Sequence, residues 1–467
     1  MSRGVVLDMR CAEPKKREAP AAARALAKSV PQVPFSVVDL FCGAGGLSQG
    51  FRDAGFRVVA GSDNDPDAMA TYRANFPEAA GITGDIRSAP IKEQLLEAAR
   101  RATVLIGGPP CQAFSQVRNH TRMIDDPRNS LYREFVDVLK QSLPPAFLIE
   151  NVTGMDQMGV RDQIASDLSL DGEYTVLPQV VDAADFGVPQ TRKRLLFVGV
   201  RSRSRMSPPI LMGAGATDAF ALERVSAGGR ARYRVVFKES AWGERASAIL
   251  ADPDNLSVVS AADAIGDLAC LPLGNRQDII PYSDLPDAQS AYQRLMRKGG
   301  KATLSNVQVP RINEDTKLRL GGIPPGGNYR DLRAGLQERY ITGQRWGQDN
   351  GSGMLSRKHF YAYRRLHPDL WAWTLNTKGD AVYHYNKLRA LSVREFARLQ
   401  SFPDRFVFTT DQRRGKIEGR HDGGPAHSRY RQVGNAVPPL LARAVAESLI
   451  AQLKLLDFTD RSLVAAE

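Results

Sequence analysis

Cys111 follows two glycines and two prolines in "GGPPCQAFSQ" (107–116), directly after the apolar run "ATVLI". Pro109 and Pro110 fix φ and lack donors, so they stiffen the loop and hold a thiol in one direction. A structural cysteine needs no such scaffold; a nucleophile does. Cys11, Cys42 and Cys270 carry no comparable surroundings and read as small buried hydrophobes. Glu150 closes another apolar run, "AFLIE", where a partly desolvated carboxyl can share a proton with a reacting ring. The alternative is a salt-bridged acid without a chemical role. In "QTRKRLLFVGV" the period of two puts Arg192 and Arg194 on one strand face and Lys193 on the other. Two guanidinium groups can then face the same site, or else serve phosphate contact or solubility.

The remaining chemistry belongs to a cofactor. "VVDLFCGAGG" sets a glycine-rich turn between a strand and a helix, where bare backbone can approach a ligand. Any tight strand-to-helix turn reads alike. Asp63, about twenty residues on, ends the next strand and suits ribose hydroxyls; Asp85 in "TGDIR" ends a third and suits an adenine. Either acid alone also fits a helix cap or a loop. Together the set implies attack on an electron-poor ring, protonation of that ring, and group transfer from an adenosine cofactor.

These groups need a scaffold, and the chain supplies strand and helix in alternation from Phe35 to Val200. "FSVVDLF", "FRVVAGSD", "ATVLIGG", "AFLIENV" and "RLLFVGV" read as strands. "LSQGFRDAG", "PDAMATYRANF" and "LYREFVDVLKQ" read as helices, Pro66 starting the second. Such alternation predicts an α/β fold with a parallel sheet wound by helices. Residues 1–34 read as a flexible basic arm, and 201–429 as a second, smaller, irregular domain with connecting segments. The stretch 201–240 holds eight Lys/Arg against three Asp/Glu, and 413–428 reads as a polar loop. Helical pattern returns in "SVREFARLQSF" and "PPLLARAVAESLIAQLKLL", so about 430–460 completes the first domain. The formal charge of +12 favours a polyanionic partner. Four scattered cysteines without ligand spacing suggest neither disulfides nor a metal site. No run of membrane-spanning length or signal-peptide type is expected, and the chain reads as cytoplasmic, nucleoid-associated if bacterial.

As a set, "DLFCGAGGLSQGF", "GDI", "GGPPCQAFS", "ENV", "QTRKRLLFVG", "REFARLQSFPDRF" and "QVGNAVPP" resemble the DNA (cytosine-5)-methyltransferase family, in its order and over most of 35–449. The resemblance implies a Rossmann-like S-adenosylmethionine domain plus a target-recognition domain. It implies Cys111 as the nucleophile at cytosine C6, Glu150 as the proton donor to N3, and Arg194, or else Arg192, as the contact to O2. On the cofactor side it implies Phe41, Gly43, Gly45, Asp63, Asn64, Asp85, Ile86, Pro109, Asn435 and Ala436 around S-adenosylmethionine, with S-adenosylhomocysteine as product and no metal. Asn64 departs from the large apolar residue usual beside the ribose-binding acid.

The partner so implied is double-stranded DNA, with its cytosine flipped out because the ring is unreachable inside a duplex. A companion restriction endonuclease, or an orphan role, and a monomeric state complete the expectation. Gln116, Arg118, Arg330 and Arg345 are the expected DNA contacts, with Trp346 beside the last. An RNA-methylating relative would carry a "CFT" motif, absent here. A silent relative has no need of Cys111, Glu150 and Arg194 together. Amino-group methylation uses a D/N-P-P-Y/F/W corner, where this chain has "GPPC".

Overall fold

Seven strands form the central sheet: β1 (Ser36–Leu40), β2 (Arg57–Asp63), β3 (Ala80–Thr83), β4 (Val104–Gly107), β5 (Ala146–Val152), β6 (Tyr174–Asp182) and β7 (Lys193–Arg201). The computed structural model describes residues 35–110, 130–154, 160–204, 206–227, 230–237, 256–340, 354, 362–380, 382–411 and 424–457. The strand order is β3-β2-β1-β4-β5-β7-β6. β1 to β5 run parallel, while β7 is antiparallel to β5 and to β6. Helices α1 (Gly46–Asp53), α2 (Pro66–Asn75), α3 (Ala89–Ala99), α4 (Ser130–Ser142) and α5 (Arg161–Ser169) connect them. The α/β class expected from the alternation is observed, but the sheet is parallel only from β1 to β5, since β7 runs antiparallel to both its neighbours. β6 is an added strand that the periodicity did not single out.

Both faces of this sheet are buried, which is why its strands are nearly continuous apolar runs. Val104, Ile106, Leu148, Leu196 and Val198 point into one core, and Leu105, Phe147, Ile149, Leu195 and Phe197 into the other. Each such side chain contributes about 1.5–3 kcal/mol by leaving water. The second core is closed by α3, α4 and α5 through Leu95, Phe135, Val138 and Leu168. The first is closed by late segments: α7 (Val393–Leu399), α8 (Gly424–Asn435) and α9 (Pro439–Asp457), α6 being Ala291–Arg297. From Phe35 onward the chain packs as one unit. The polar stretch 413–428 departs from a loop, since α8 begins at Gly424; its residues before 424 lie outside those described.

The return of α9 rests on a close helix contact. A Cβ on Gly46 would sit 2.2 Å from the Val437 carbonyl oxygen, and one on Gly50 would sit 2.4 Å from both Ala442 Cβ and the Pro439 oxygen. Gly46 and Gly50, four residues apart, are one helix face cleared for α9. Glycine to alanine inside a helix ordinarily stabilises by up to about 1 kcal/mol. Here Gly50→Ala should instead destabilise by about 1–3 kcal/mol through overpacking, read as a lower melting temperature. α8 and α9 together are apolar and long enough to cross a membrane by composition, yet half of that window is buried inside the protein.

Residues 202–391 add three two-stranded sheets: β8 (Phe220–Ala227) with β9 (Arg230–Phe237), β10 (Ile279–Pro281) with β11 (Thr303–Ser305), and β12 (Arg364–Arg365) with β13 (Val382–Tyr383). Between them lies a fully buried ionic cluster on α7. Arg398 bonds Asp404 through Nε and Nη2 at 2.9 and 2.7 Å, and Asp267 through Nη1 at 2.5 Å. Arg389 holds Glu395 with two bonds of 2.8 Å, and Ser392 caps the helix against the same carboxylate. Cys270, expected to be buried, is exposed, its thiol donating to the Asp267 carbonyl at 3.4 Å. Cys42 is buried as expected, and burial pushes its thiol well up.

His384 lies beside this cluster, its Nε2 3.7 Å from Glu395. That carboxylate favours protonation, but Arg389 already satisfies it, Lys387 and Arg365 oppose it, and burial dominates, holding the imidazole down at about 4. A lowered histidine pKa gives stability that is complete above the unfolded value near 6.5 and falls as pH drops toward 4. Asp39, buried against Ser48 and pushed up to about 7, works oppositely, losing stability as pH rises. The His384 share is therefore read by difference: relative to His384→Asn, the wild type should lose about 2 kcal/mol between pH 8 and pH 5 in denaturant unfolding.

Candidate functional site

A cavity of about 540 Å³ opens where β1, β2, β4 and β5 end and β7 begins. This is the edge at which parallel α/β sheets present loops and helix N-termini to ligands. The first wall is the β1–α1 turn. Phe41, Gly43 and Gly45 all take positive φ, at 60°, 52° and 98°. For a phenylalanine this is strained by about 1–2 kcal/mol, a cost that clusters at functional sites. Gly43 N–H donates to Asp63 Oδ2 and Asp65 N–H to Asp63 Oδ1, each at 2.9 Å. Asp63 thus organises the turn while lining the cavity, and burial raises its carboxyl despite these bonds.

Phe41, Gly43, Asp63, Asn64, Ile86, Pro109, Glu150, Arg192, Arg194, Asn435 and Ala436, far apart in sequence, share this one cavity. Two expected members do not. Asp85 lies two residues beyond the end of β3 and outside the lining; Arg87 grips its carboxylate through Nε at 2.9 and 3.0 Å and holds it below the usual carboxylate range. Gly45 faces the core instead, where a Cβ would meet the Phe76 ring at 2.5 Å. Cys111, Gln116, Arg118 and Arg345 lie outside the described residues. Arg330 is exposed, away from the cavity, with its guanidinium 5.9 Å from the Tyr329 ring centre.

A second wall is built from neighbouring strand ends. Arg194 and Glu150 form an ion pair, with each side chain about nine-tenths shielded from solvent. Asn151 Nδ2 donates to the Pro109 carbonyl at 3.2 Å, so "ENV" fastens "GGPP" one residue before position 111 is approached through Pro110. Gly108 packs closely there: a Cβ would sit 3.1 Å from Glu150 Oε2. The alternation expected at "RKR" holds, for Arg192 and Arg194 are buried and Lys193 is exposed. Arg192, however, gives one bond from each terminal nitrogen to the carbonyls of Leu375 and Gly434, at 3.2 and 2.8 Å. It fastens β7 to the end of α8, leaving Arg194 as the guanidinium that meets Glu150.

The far wall comes from α8. Arg431 bonds Asp65 at 2.8 Å, Ser428 bonds Asp67 at 2.7 Å, and Gln400 Nε2 holds the Ala436 carbonyl at 2.5 Å. Arg431, Gln432 and Asn151 line the cavity too, and sequence reasoning did not name them. Their signal was adjacency to "GNAVPP" and to Glu150, which says nothing of direction. The donor set fits an adenosine cofactor: a carboxylate and exposed strand-end backbone for ribose, beside apolar Phe41, Ile86 and Leu47. Among the described residues, no cluster of three potential metal ligands occurs.

A family model described as C-5 cytosine-specific DNA methylase matches residues 35–229 and 289–451. The Type II methyltransferase M.AgeI of Thalassovita gelatinovora is 31% identical, covering 89% of this chain and 99% of its own length. M1.HphI of Haemophilus parahaemolyticus is 30% identical, over 89% and 87%. In fold, the chain is similar to a crystal structure of a candidate DNA modification methyltransferase encoded within a prophage of E. coli: TM-score 0.57 and 24% identity, covering 90% of this chain and 99% of that one.

Proposed function

The chain belongs to the C-5 cytosine-specific DNA methylases, S-adenosylmethionine-dependent enzymes, and from that premise we propose that it methylates cytosine in a specific duplex site through a covalent adduct at Cys111. The observation that carries this reading is the Arg194–Glu150 pair in one cavity with Asp63. A cytosine presents N3 and O2 side by side. A carboxyl and a guanidinium already in contact match that edge, Glu150 to N3 and Arg194 to O2.

Cytosine C5 is too weak a nucleophile to take a methyl group directly. The Cys111 thiolate adds to C6 as Glu150 delivers a proton to N3, which leaves electron density at C5. Asp63, Asn64 and the β1–α1 turn would hold S-adenosylmethionine, whose methyl group would pass to C5 as its sulfonium bond breaks, leaving S-adenosylhomocysteine. Loss of the C5 proton to water then expels the thiolate, and the N3 proton returns to Glu150. The ring reaches the cavity by leaving the duplex. Target recognition falls to segments within residues 201–429 other than α7 and α8, which pack against the central sheet, and the Type II names of the relatives favour a companion restriction endonuclease.

The test is a duplex carrying 5-fluorocytosine at the target with S-adenosylmethionine. Fluorine cannot leave as a proton does, so a covalent complex surviving denaturing electrophoresis is expected from the wild type and none from Cys111→Ser. A serine variant that still traps DNA, or a wild type that never does, overturns the mechanism.

A further inference from the structure

β8 and β9 form an antiparallel ribbon, paired from Phe220↔Phe237 to Ala227↔Arg230, whose two faces differ. Leu222 and Val235 pack on a small core with Ala219, Val258 and Leu370. On that same face Arg224 Nε and Tyr233 OH converge on Asp331 at 2.9 and 2.8 Å, and Gly326 approaches so closely that a Cβ would lie 2.9 Å from Tyr233 Cβ. One face is therefore clamped to the protein. The other carries Glu223, Arg232 and Arg234, all exposed. Among the described residues Arg234 pairs only with exposed Glu223, at 2.7 Å, and Arg232 makes no ion pair.

The ribbon is also tied to the reaction cavity. Phe220 packs edge-on to Trp371, with ring centres 6.1 Å apart. The next residue, Ala372, bridges Gln190, and the Leu375 carbonyl accepts from cavity-lining Arg192. β9 lies wholly beyond residue 229, where the match to the family model pauses until 289. The arginine-bearing face is thus a feature of this chain outside the shared pattern.

We propose that the β8–β9 ribbon enters the major groove of the target duplex and that Arg232 and Arg234 read guanines there. This rests on the reading of the chain as a duplex DNA methylase. A two-stranded ribbon fits the roughly 12 Å width of that groove, and arginine meets guanine O6 and N7 with two parallel bonds. Residues two apart on a strand are about 6.8 Å apart, roughly two base-pair steps of about 3.4 Å. Arg232 and Arg234 would then address guanines two steps apart, Arg234 exchanging an exposed, weak pair with Glu223 for a base.

The test expresses wild type, Arg232→Ala and Arg234→Ala in a host without cytosine methylation, and reads bisulfite patterns beside rates on the preferred duplex and single-base variants of it. Melting temperature and S-adenosylmethionine affinity confirm that each variant is folded. Each is expected to lose about 5- to 150-fold of its discrimination at one base pair, the two positions lying two steps apart. Equal weakening on every duplex assigns these arginines to phosphate and overturns the inference, as does preference unchanged within twofold. A wild type that forms no 5-methylcytosine overturns the underlying function itself; a methylating wild type beside unchanged variants overturns the ribbon alone.

Discussion

Glu150→Gln should lower single-turnover methyl transfer by about 10²- to 10⁴-fold, the usual worth of a positioned proton donor. The amide keeps the shape of the side chain but gives the ring no acidic proton, so the thiol adduct loses the protonation that makes C5 reactive. Two observations make the effect specific to chemistry. Glu150 is held by Arg194 at the wall of the cavity, and Gly108 leaves the carboxyl room. The bond from the Asn151 side-chain amide to the Pro109 carbonyl is untouched by the substitution, so the loop before position 111 keeps its anchor. Duplex affinity by gel shift and S-adenosylmethionine affinity by calorimetry should change less than about threefold. A variant with near-normal turnover would remove Glu150 from the mechanism, while parallel losses in binding and rate would make it a structural acid.

Arg398→Met should cost about 3–5 kcal/mol of stability, because it leaves buried carboxylates without their main counter-charge. Arg398, Asp267 and Asp404 have no solvent-exposed side-chain surface. The Asp404 carboxyl is held down at about 2, chiefly because the Arg398 charge overcomes the cost of its burial. Tyr282 OH at 2.7 Å and Arg297 on Asp267 remain, but neither replaces a guanidinium that bridges two acids. Arg398→Lys should recover only part of the loss, since one ammonium cannot make the paired bonds to Asp404. Thermal unfolding and soluble yield read the effect. A methionine variant within about 1 kcal/mol of wild type would mean that water reaches the cluster.

This cluster also explains why "REFARLQSFPDRF" carries so many charges. A run with so many charges looks solvent-facing, yet every residue of α7 is buried. Its charges meet partners such as Asp267, more than a hundred residues away, and no local pattern encodes that distance. The same reason separates the two aspartates placed beside the cofactor. Asp63 ends β2, so the pleat and the turn bring Gly43 N–H to it. Asp85 stands two residues past β3, where Arg87 competes for its carboxylate, and spacing alone cannot rank competing partners.

What the sequence determined by itself was the strand–helix alternation through β1, β2, β4, β5 and β7, the burial of those strands, and the strand ends near which Glu150, Asp63 and Pro109 stand. These follow from short-range periodicity, because a strand buried on both faces must be apolar throughout and its first polar residue marks the edge. Only the tertiary structure decided that Arg192 fastens Leu375 and Gly434 while Arg194 meets Glu150, that α8 walls the cavity through Arg431 and Asn435, and that one face of the β8–β9 ribbon is left outward. Each of those outcomes is a choice among partners distant in the chain, settled by three-dimensional distance and burial.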